Sequence, residues 1–242
     1  LARLGGGDLR SFVIVLVMGV SAYATISGPL AKVRLNLFPV IPLESSTPPS
    51  LSYLGSQFLR INSAAVGLII GIVFLIYGLF NWKNKITLNS IFWSVIVAVA
   101  IVGGWIGTSW VATSTYEPIN IQSFTFVAPV GEAILYAMYG SAINIKFGIG
   151  AVLGVLIGAF FGSMIKGHFR WEACEDPREL KRQILGASIM GIGAAISLGC
   201  SVGQGLTAFS TLSYSAPLTL LSIYIGARIG LFQLIEGFQI AE

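Results

Sequence analysis

The heptapeptide Gly199-Cys-Ser-Val-Gly-Gln-Gly205 interrupts an otherwise apolar stretch from Ile184 to Leu234. Gly199, Gly203 and Gly205 free the backbone to turn N–H groups toward a cavity. The positive end of the helix that follows adds to this, and together they favour an anion. Cys200 contributes a weak S–H donor that suits a soft, sulfur-rich partner. Ser201 and Gln204 supply interleaved polar groups, and Ser213 and Ser215 ahead of Ala216-Pro217 offer caps for the next helix. The residues alone leave a second reading open, because a free cysteine is also commonly a small buried hydrophobe.

Arg228 lies about midway through the last apolar run, where an ionisable side chain is costly and is functional or paired. It is a counter-charge for an anion, or it pairs with Glu236 or with Glu132. Glu132 stands at the start of Ala133–Ala142, an apolar stretch too short to span a bilayer and suited to a half-helix. A carboxylate there interacts favourably with the helix dipole. Glu132 is either that helix's N-terminal acid or a polar group in a permeation path. His168 is the single histidine, and with no clustered ligands a metal site is unsupported. Cys174 shares a charged loop with it and reads as a solvated spectator, at a different expected depth from Cys200 and not placed to bridge to it.

These residues must be positioned by membrane helices. Hydrophobic residues make up 55% of the 242 and charged residues 10%, against about 25% charge in soluble domains. The chain therefore reads as an all-α integral membrane protein, a polytopic helical bundle. Spans of about 20 residues are expected near 12–31, 63–81, 91–111, 147–165, 184–199 and 216–235, six in all, with short re-entrant half-helices between them. The fifth is short, as expected of a helix that stops partway. Small residues recur within the spans and predict close helix–helix faces. Gly5-Gly6-Gly7-Asp8 predicts a turn with Asp8 capping the first span. Asp176-Pro177 predicts a helix start. Residues 36–60 read as an extramembrane loop whose Phe38, Leu51, Tyr53 and Phe58 rest at the membrane interface.

The formal charge of +4 does not call for nucleic acid, because the cations lie in loops between spans. Counted on alternate sides, nine Lys and Arg (Arg3, Arg10, Lys83, Lys85, Lys166, Arg170, Arg178, Lys181, Arg182) oppose four (Lys32, Arg34, Arg60, Lys146). The positive-inside rule then places the 82–89 and 166–182 loops in the cytoplasm. No Gly-x-x-x-x-Gly-Lys-Ser/Thr loop is present to cradle a nucleotide. The sequence opens Leu-Ala-Arg-Leu without a charged-then-apolar leader and reads as a segment of a longer protein.

The blocks Asp176-Pro-Arg-Glu-Leu-Lys-Arg-Gln-Ile-Leu-Gly-Ala187, Met190-Gly-Ile-Gly-Ala194, Gly199-Cys-Ser-Val-Gly-Gln-Gly-Leu206 and Phe209-Ser-Thr-Leu-Ser213 resemble the C-terminal half of YeeE/YedE family proteins. Leu4-Gly-Gly-Gly-Asp-Leu-Arg-Ser11 resembles the stretch just after the equivalent glycine–cysteine loop of the first half, and Ser123-Phe-Thr-Phe-Val-Ala-Pro129 also fits. The resemblance implies an importer of thiosulfate in the bacterial inner membrane, multi-pass and built of two pseudo-symmetric halves. It implies one transporter domain over 1–242, with a remnant of the first repeat at the N-terminus and the second repeat at roughly 90–242. It also implies that cysteines at a constriction hand the anion along through S–H contacts, Cys200 being the second-half cysteine. The first-half cysteines fall upstream of Leu1.

The expected substrate-binding set is Cys200, Gly199, Ser201, Gly203, Gln204, Gly205, Arg228 and Glu132, with no catalytic residue, metal or cofactor. Expected partners are thiosulfate or a similar anion, the lipid bilayer and a cytoplasmic sulfur-carrier or sulfurtransferase protein, but no nucleic acid. Two other readings are a membrane thiol protein that relays sulfur covalently, with Arg228 lowering the thiol pKa, and a structural subunit of a larger assembly.

Overall fold

The computed structural model describes residues 1–38, 50–80, 87–115, 120–141, 143–172 and 177–236. In chain order its helices are α1 (Ala2–Gly5), α2 (Leu9–Ile26), α3 (Ala31–Leu37), α4 (Leu51–Leu59), α5 (Ser63–Phe80), α6 (Leu88–Ser114), α7 (Val127–Tyr139), α8 (Phe147–Ile165), α9 (Pro177–Ile196) and α10 (Ser215–Glu236). A π-helical turn, Gly203–Ala208, precedes α10. Among the described residues no strand forms, only the isolated bridges Asp8–Glu172 and Ser50–Ser213.

Among the described residues four helices are long and apolar enough to cross a membrane: Leu9–Ile26, Leu88–Ser114, Phe147–Ile165 and Ser215–Gln233. The bent pair Leu51–Phe58 and Ser63–Gly78, kinked by 112°, makes a fifth if counted as one span. The protein is thus an all-α polytopic membrane protein, with four or five candidate spans among the described residues where about six are expected. The difference lies at 184–199. That run is the second half of α9, which begins at Pro177 and carries Arg178, Glu179, Lys181 and Arg182 in its opening turns. The proposed N-cap Asp176, like Cys174, lies outside the described residues. So do residues 39–49 of the expected 36–60 loop, but its remaining residues are described and largely helical, in α3 and in α4, which carries Leu51, Tyr53 and Phe58.

By its internal contacts the chain forms two compact units, Leu1–Pro42 with Asn120–Gly203 and Leu43–Ile119 with Gln204–Glu242. In the first, α2 packs against α9 and α7, α1 against α8, and α7 against α8. Met18, Ala22, Val127, Val130, Val152 and Ala187 form its buried core. Small residues bring the backbones together: a methyl group on Gly191 of α9 would lie 2.1 Å from Ser21 Oγ and 2.6 Å from the Met18 carbonyl oxygen. A methyl on Gly19 would meet Val130 Cγ1 at 2.6 Å. Such approaches are the usual basis of helix association in lipid.

The predicted Asp8 cap is present. Its carboxylate accepts from the amides of Arg10 (3.0 Å) and Ser11 (3.3 Å) and from the Ser11 hydroxyl (2.7 Å). Gly7, at φ +99°, makes the preceding turn, and a side chain there would strike the Arg170 carbonyl. Burial pushes the Asp8 carboxyl up, but hydrogen bonds from Ser11 and Arg10, with the Arg10 charge, hold it below the ordinary carboxylate value. Arg10 also pairs with Glu179 of α9 at 2.9 Å.

In the second unit α4 packs on α5, and Gly55 lets Val66 approach within 2.7 Å of where a methyl would sit. The Leu51 amide donates to the Leu212 carbonyl at 2.8 Å. Phe209 meets Phe74 edge-on with centroids 5.4 Å apart, and Trp105 Nε1 donates to Ser210 Oγ at 3.3 Å. The segment after the π turn is therefore anchored to α4, α5 and α6.

Gly191→Val should overpack the α2–α9 contact and cost about 1–3 kcal/mol, read as a lower thermal unfolding midpoint in detergent. Gly193→Ala, which meets nothing within 4 Å, should be neutral or slightly stabilising. Asp8→Ala should cost about 1 kcal/mol near neutrality. Because the folded-state pKa of Asp8 is depressed, its contribution is complete above the unfolded carboxylate pKa of about 3.9 and is lost as pH falls through the folded value. Unfolding midpoints of wild type and variant should therefore converge in acid.

Candidate functional site

The break predicted at Cys200 follows directly on α9. Ser197 N–H donates to the Gly193 carbonyl at 3.0 Å and Gly199 N–H to the Ala194 carbonyl at 2.9 Å, closing the helix. The Ser197 hydroxyl donates to the Gly199 carbonyl at 2.8 Å. The reversal is made by Leu198 at φ +58°. Gly199, Gly203 and Gly205 are not left-handed; among the described glycines only Gly7 and Gly167 are. At Gly203 and Gly205 the relevant question is clearance. A methyl on Gly203 would lie 2.7 Å from Thr125 Oγ1, while one on Gly205 would meet only the flexible tip of Leu220 at 2.9 Å.

Cys200 is a free thiol of intermediate burial. It packs against the core formed by Met18, Ala22, Val127, Val130, Val152 and Ala187. Val127 and Val130 belong to the first turn of α7, which opens at Phe126 without a side-chain cap. Of the first-unit loop residues, Gly199 is buried, Cys200 lies on the core, Ser201 is exposed and Gly203 sits against Thr125, two residues before α7 begins. Thr125 escaped notice in the sequence, although it lies within the recognised Ser123–Pro129 block.

Helix α7 has the short apolar character expected of a half-helix, but it starts at Val127. Glu132 thus falls in its second turn rather than at its start. Its Oε1 accepts from Lys146 Nζ at 2.9 Å, an ion pair with the lysine about half exposed. The two line a small cavity of about 50 Å³ with Tyr23, Leu135, Ile143 and Ile149, and no residue of the 199–205 loop lines it. Lys146 carried no sequence signal beyond preceding an apolar run, because its partner is 14 residues away around a turn.

The remaining loop residues belong to the second unit. Gln204 is buried, and its Oε1 accepts from Ser215 Oγ at 3.2 Å. Ser213 and Ser215 pair through their hydroxyls at 3.2 Å at the start of α10. Arg228 is exposed on α10 and makes no hydrogen bond or ion pair with a described residue. The side chain of Glu236, one of its expected partners, lies outside the described set.

Several apolar candidate spans, a short apolar helix and a helix that ends just before a free thiol define the class as a polytopic membrane protein. The chain matches the family described as "Sulphur transport" over residues 1–229 and belongs to it. It is similar to "Thiosulfate transporter TsuA" of Escherichia coli (strain K12), with 27% identity over 137 residues, which are 55% of this chain and 37% of that protein. It is also similar to "Thiosulfate transporter TsuA" of Spirochaeta thermophila, with 24% identity over 234 residues, 93% of this chain and 67% of that protein. The chain thus spans between about a third and two thirds of the length of these relatives.

A leucine held in the left-handed region costs about 1–2 kcal/mol, and Leu198 is 78% exposed within its unit, so its side chain recovers little. Unfolding midpoints should rank Leu198→Gly above wild type and Leu198→Val below it, the β-branched residue being the worst fit at positive φ. Equal midpoints for all three would remove the strain.

Proposed function

We propose that this chain is part of a transporter that imports thiosulfate, or a related small sulfur-containing anion, across the bacterial inner membrane. The observation that carries the reading is the free Cys200 thiol. It sits where α9 is broken and packs against the buried core of its unit. Irregular backbone at membrane depth is tolerated where it is buried in protein or lines a cavity, and broken helices recur at transport sites. The similarity to proteins named thiosulfate transporters supplies the substrate.

In this reading Cys200 donates its S–H to the passing anion. Gly199 and Gly203 keep side chains out of the path, and Ser201 supplies an exposed hydroxyl. Gln204 and Gly205 continue the loop, with Gln204 fixed by Ser215. Arg228, lacking a described partner, offers a counter-charge, and Glu132 tempers the positive charge of Lys146. A thiosulfate dianion met by S–H and hydroxyl donors is desolvated gradually and bound weakly enough to leave. A cytoplasmic sulfur-carrier or sulfurtransferase protein would receive it.

The test is thiosulfate uptake into cells carrying the full-length protein, wild type or Cys200→Ala, at matched membrane levels. Uptake should fall at least about tenfold, the equivalent of roughly 1.4 kcal/mol of lost stabilisation in passage. Arg228→Gln should reduce it as well. Unchanged uptake in Cys200→Ala returns the thiol to a packing role. A persulfide on Cys200 after thiosulfate exposure, seen by intact mass, would replace non-covalent passage with covalent relay.

A further inference from the structure

A second chemistry lies at the C-terminal end of α8, away from the cysteine loop. The span ends at Ile165, which is 85% exposed, and Lys166 follows at its C-cap. An aromatic ladder then runs out of the span. Phe160 meets Phe169 edge-on at 5.6 Å between centroids, and Phe169 meets Trp171 at 5.7 Å. Trp171 is 73% exposed. Interleaved with this ladder are Lys166 and Arg170, both exposed, whose side chains make no hydrogen bond or ion pair with a described residue.

The backbone holds this arrangement in place. His168 N–H donates to the Ser163 carbonyl at 2.9 Å, Arg170 N–H to the Gly6 carbonyl at 3.2 Å and Glu172 N–H to the Gly7 carbonyl at 3.3 Å. The Leu9 amide returns a bond to the Glu172 carbonyl at 3.2 Å. The segment is thereby pinned to the turn that starts α2, so its cations and aromatics are presented in one fixed order at the end of a candidate span.

Amphipathic aromatic rings concentrate at the headgroup level of a bilayer. Unpaired Lys and Arg beside them attract anionic lipid, which is enriched in the cytoplasmic leaflet. The loop-charge asymmetry assigns this end of α8 to that leaflet. We propose that Lys166, Arg170 and Trp171 form a docking surface for the headgroup of an anionic phospholipid. The Phe160–Phe169–Trp171 ladder rests at the acyl boundary, and the two cations meet the lipid phosphate. This assignment is independent of which solute the protein carries.

The experiment reconstitutes the full-length protein in nanodiscs of phosphatidylcholine containing about one fifth phosphatidylglycerol and counts retained lipids by native mass spectrometry. Wild type should retain phosphatidylglycerol about tenfold over phosphatidylcholine, from roughly fivefold per cation with partial screening. Lys166→Gln with Arg170→Gln should bring the ratio near one, and the charge-keeping exchange Lys166→Arg with Arg170→Lys should restore it. Lys32→Gln, in the helix after α2 at its other end, should leave it unchanged. Equal retention by wild type and the double glutamine variant would overturn the proposal. So would displacement of the lipid by millimolar inorganic phosphate, which would mark a site for the free ion. Should the double variant fold poorly, each single glutamine variant still reads out its own share of the loss.

Discussion

The contact between α2 and α9 leaves no room for a methyl group at Gly191, where Ser21 Oγ and the Met18 carbonyl stand within 2.6 Å of its position. In lipid there is no hydrophobic gain from bringing two apolar helices together, so the approach must come from close van der Waals fit. That fit fixes where α9 ends relative to α2 and α7. Three residues beyond Ala194 the helix gives out, and its last amide bonds close back on Gly193 and Ala194. The loop that emerges is covered on one side by the core of its own unit. This cover is the condition on which irregular backbone survives at membrane depth.

The same unit keeps its charges at the two ends of α2. Asp8 and Arg10 stand at the first turn, with Arg10 paired to Glu179. Tyr23, near the last turn, shares a cavity with the Glu132–Lys146 pair. The 18 residues of α2 cover roughly 27 Å, close to the thickness of a hydrocarbon core. Helix α9 follows this plan within a single element. Its first turns carry Arg178, Glu179, Lys181 and Arg182, and its second half carries Ala187, Gly191 and Ala195 into the protein interior.

The parts legible in the sequence were those governed by local chemistry. Asp8 announced its cap because three glycines and then an acid precede an apolar run, and capping needs only the next three residues. The spans were legible because about 20 apolar residues have few other uses. Residues 184–199 misled for a related reason. Hydropathy sees where apolar side chains begin, whereas the helix begins at Pro177, seven residues earlier, on polar ground. The pairing of Glu132 with Lys146 and the seating of Gly203 on Thr125 were out of reach, since each joins residues brought together by turns that hydropathy does not encode. In the 199–205 loop the backbone shows what composition does not: a side chain at Gly203 would meet Thr125, and the left-handed angle falls on Leu198 just before the loop.

The surroundings of Cys200 bear on what a thiol there can do. The buried cluster it packs against, Met18, Ala22, Val127, Val130, Val152 and Ala187, contains no ionisable residue. The ion pairs of the same unit, Arg10–Glu179 and Glu132–Lys146, are made by residues outside that cluster. A thiol becomes a strong nucleophile when a cation or an imidazole stabilises its thiolate, and the core under Cys200 provides neither. A cysteine S–H group is a weak hydrogen-bond donor with a polarisable sulfur. That chemistry suits brief non-covalent contact with a soft anion, and it is the ground on which we propose passage rather than covalent relay at this position.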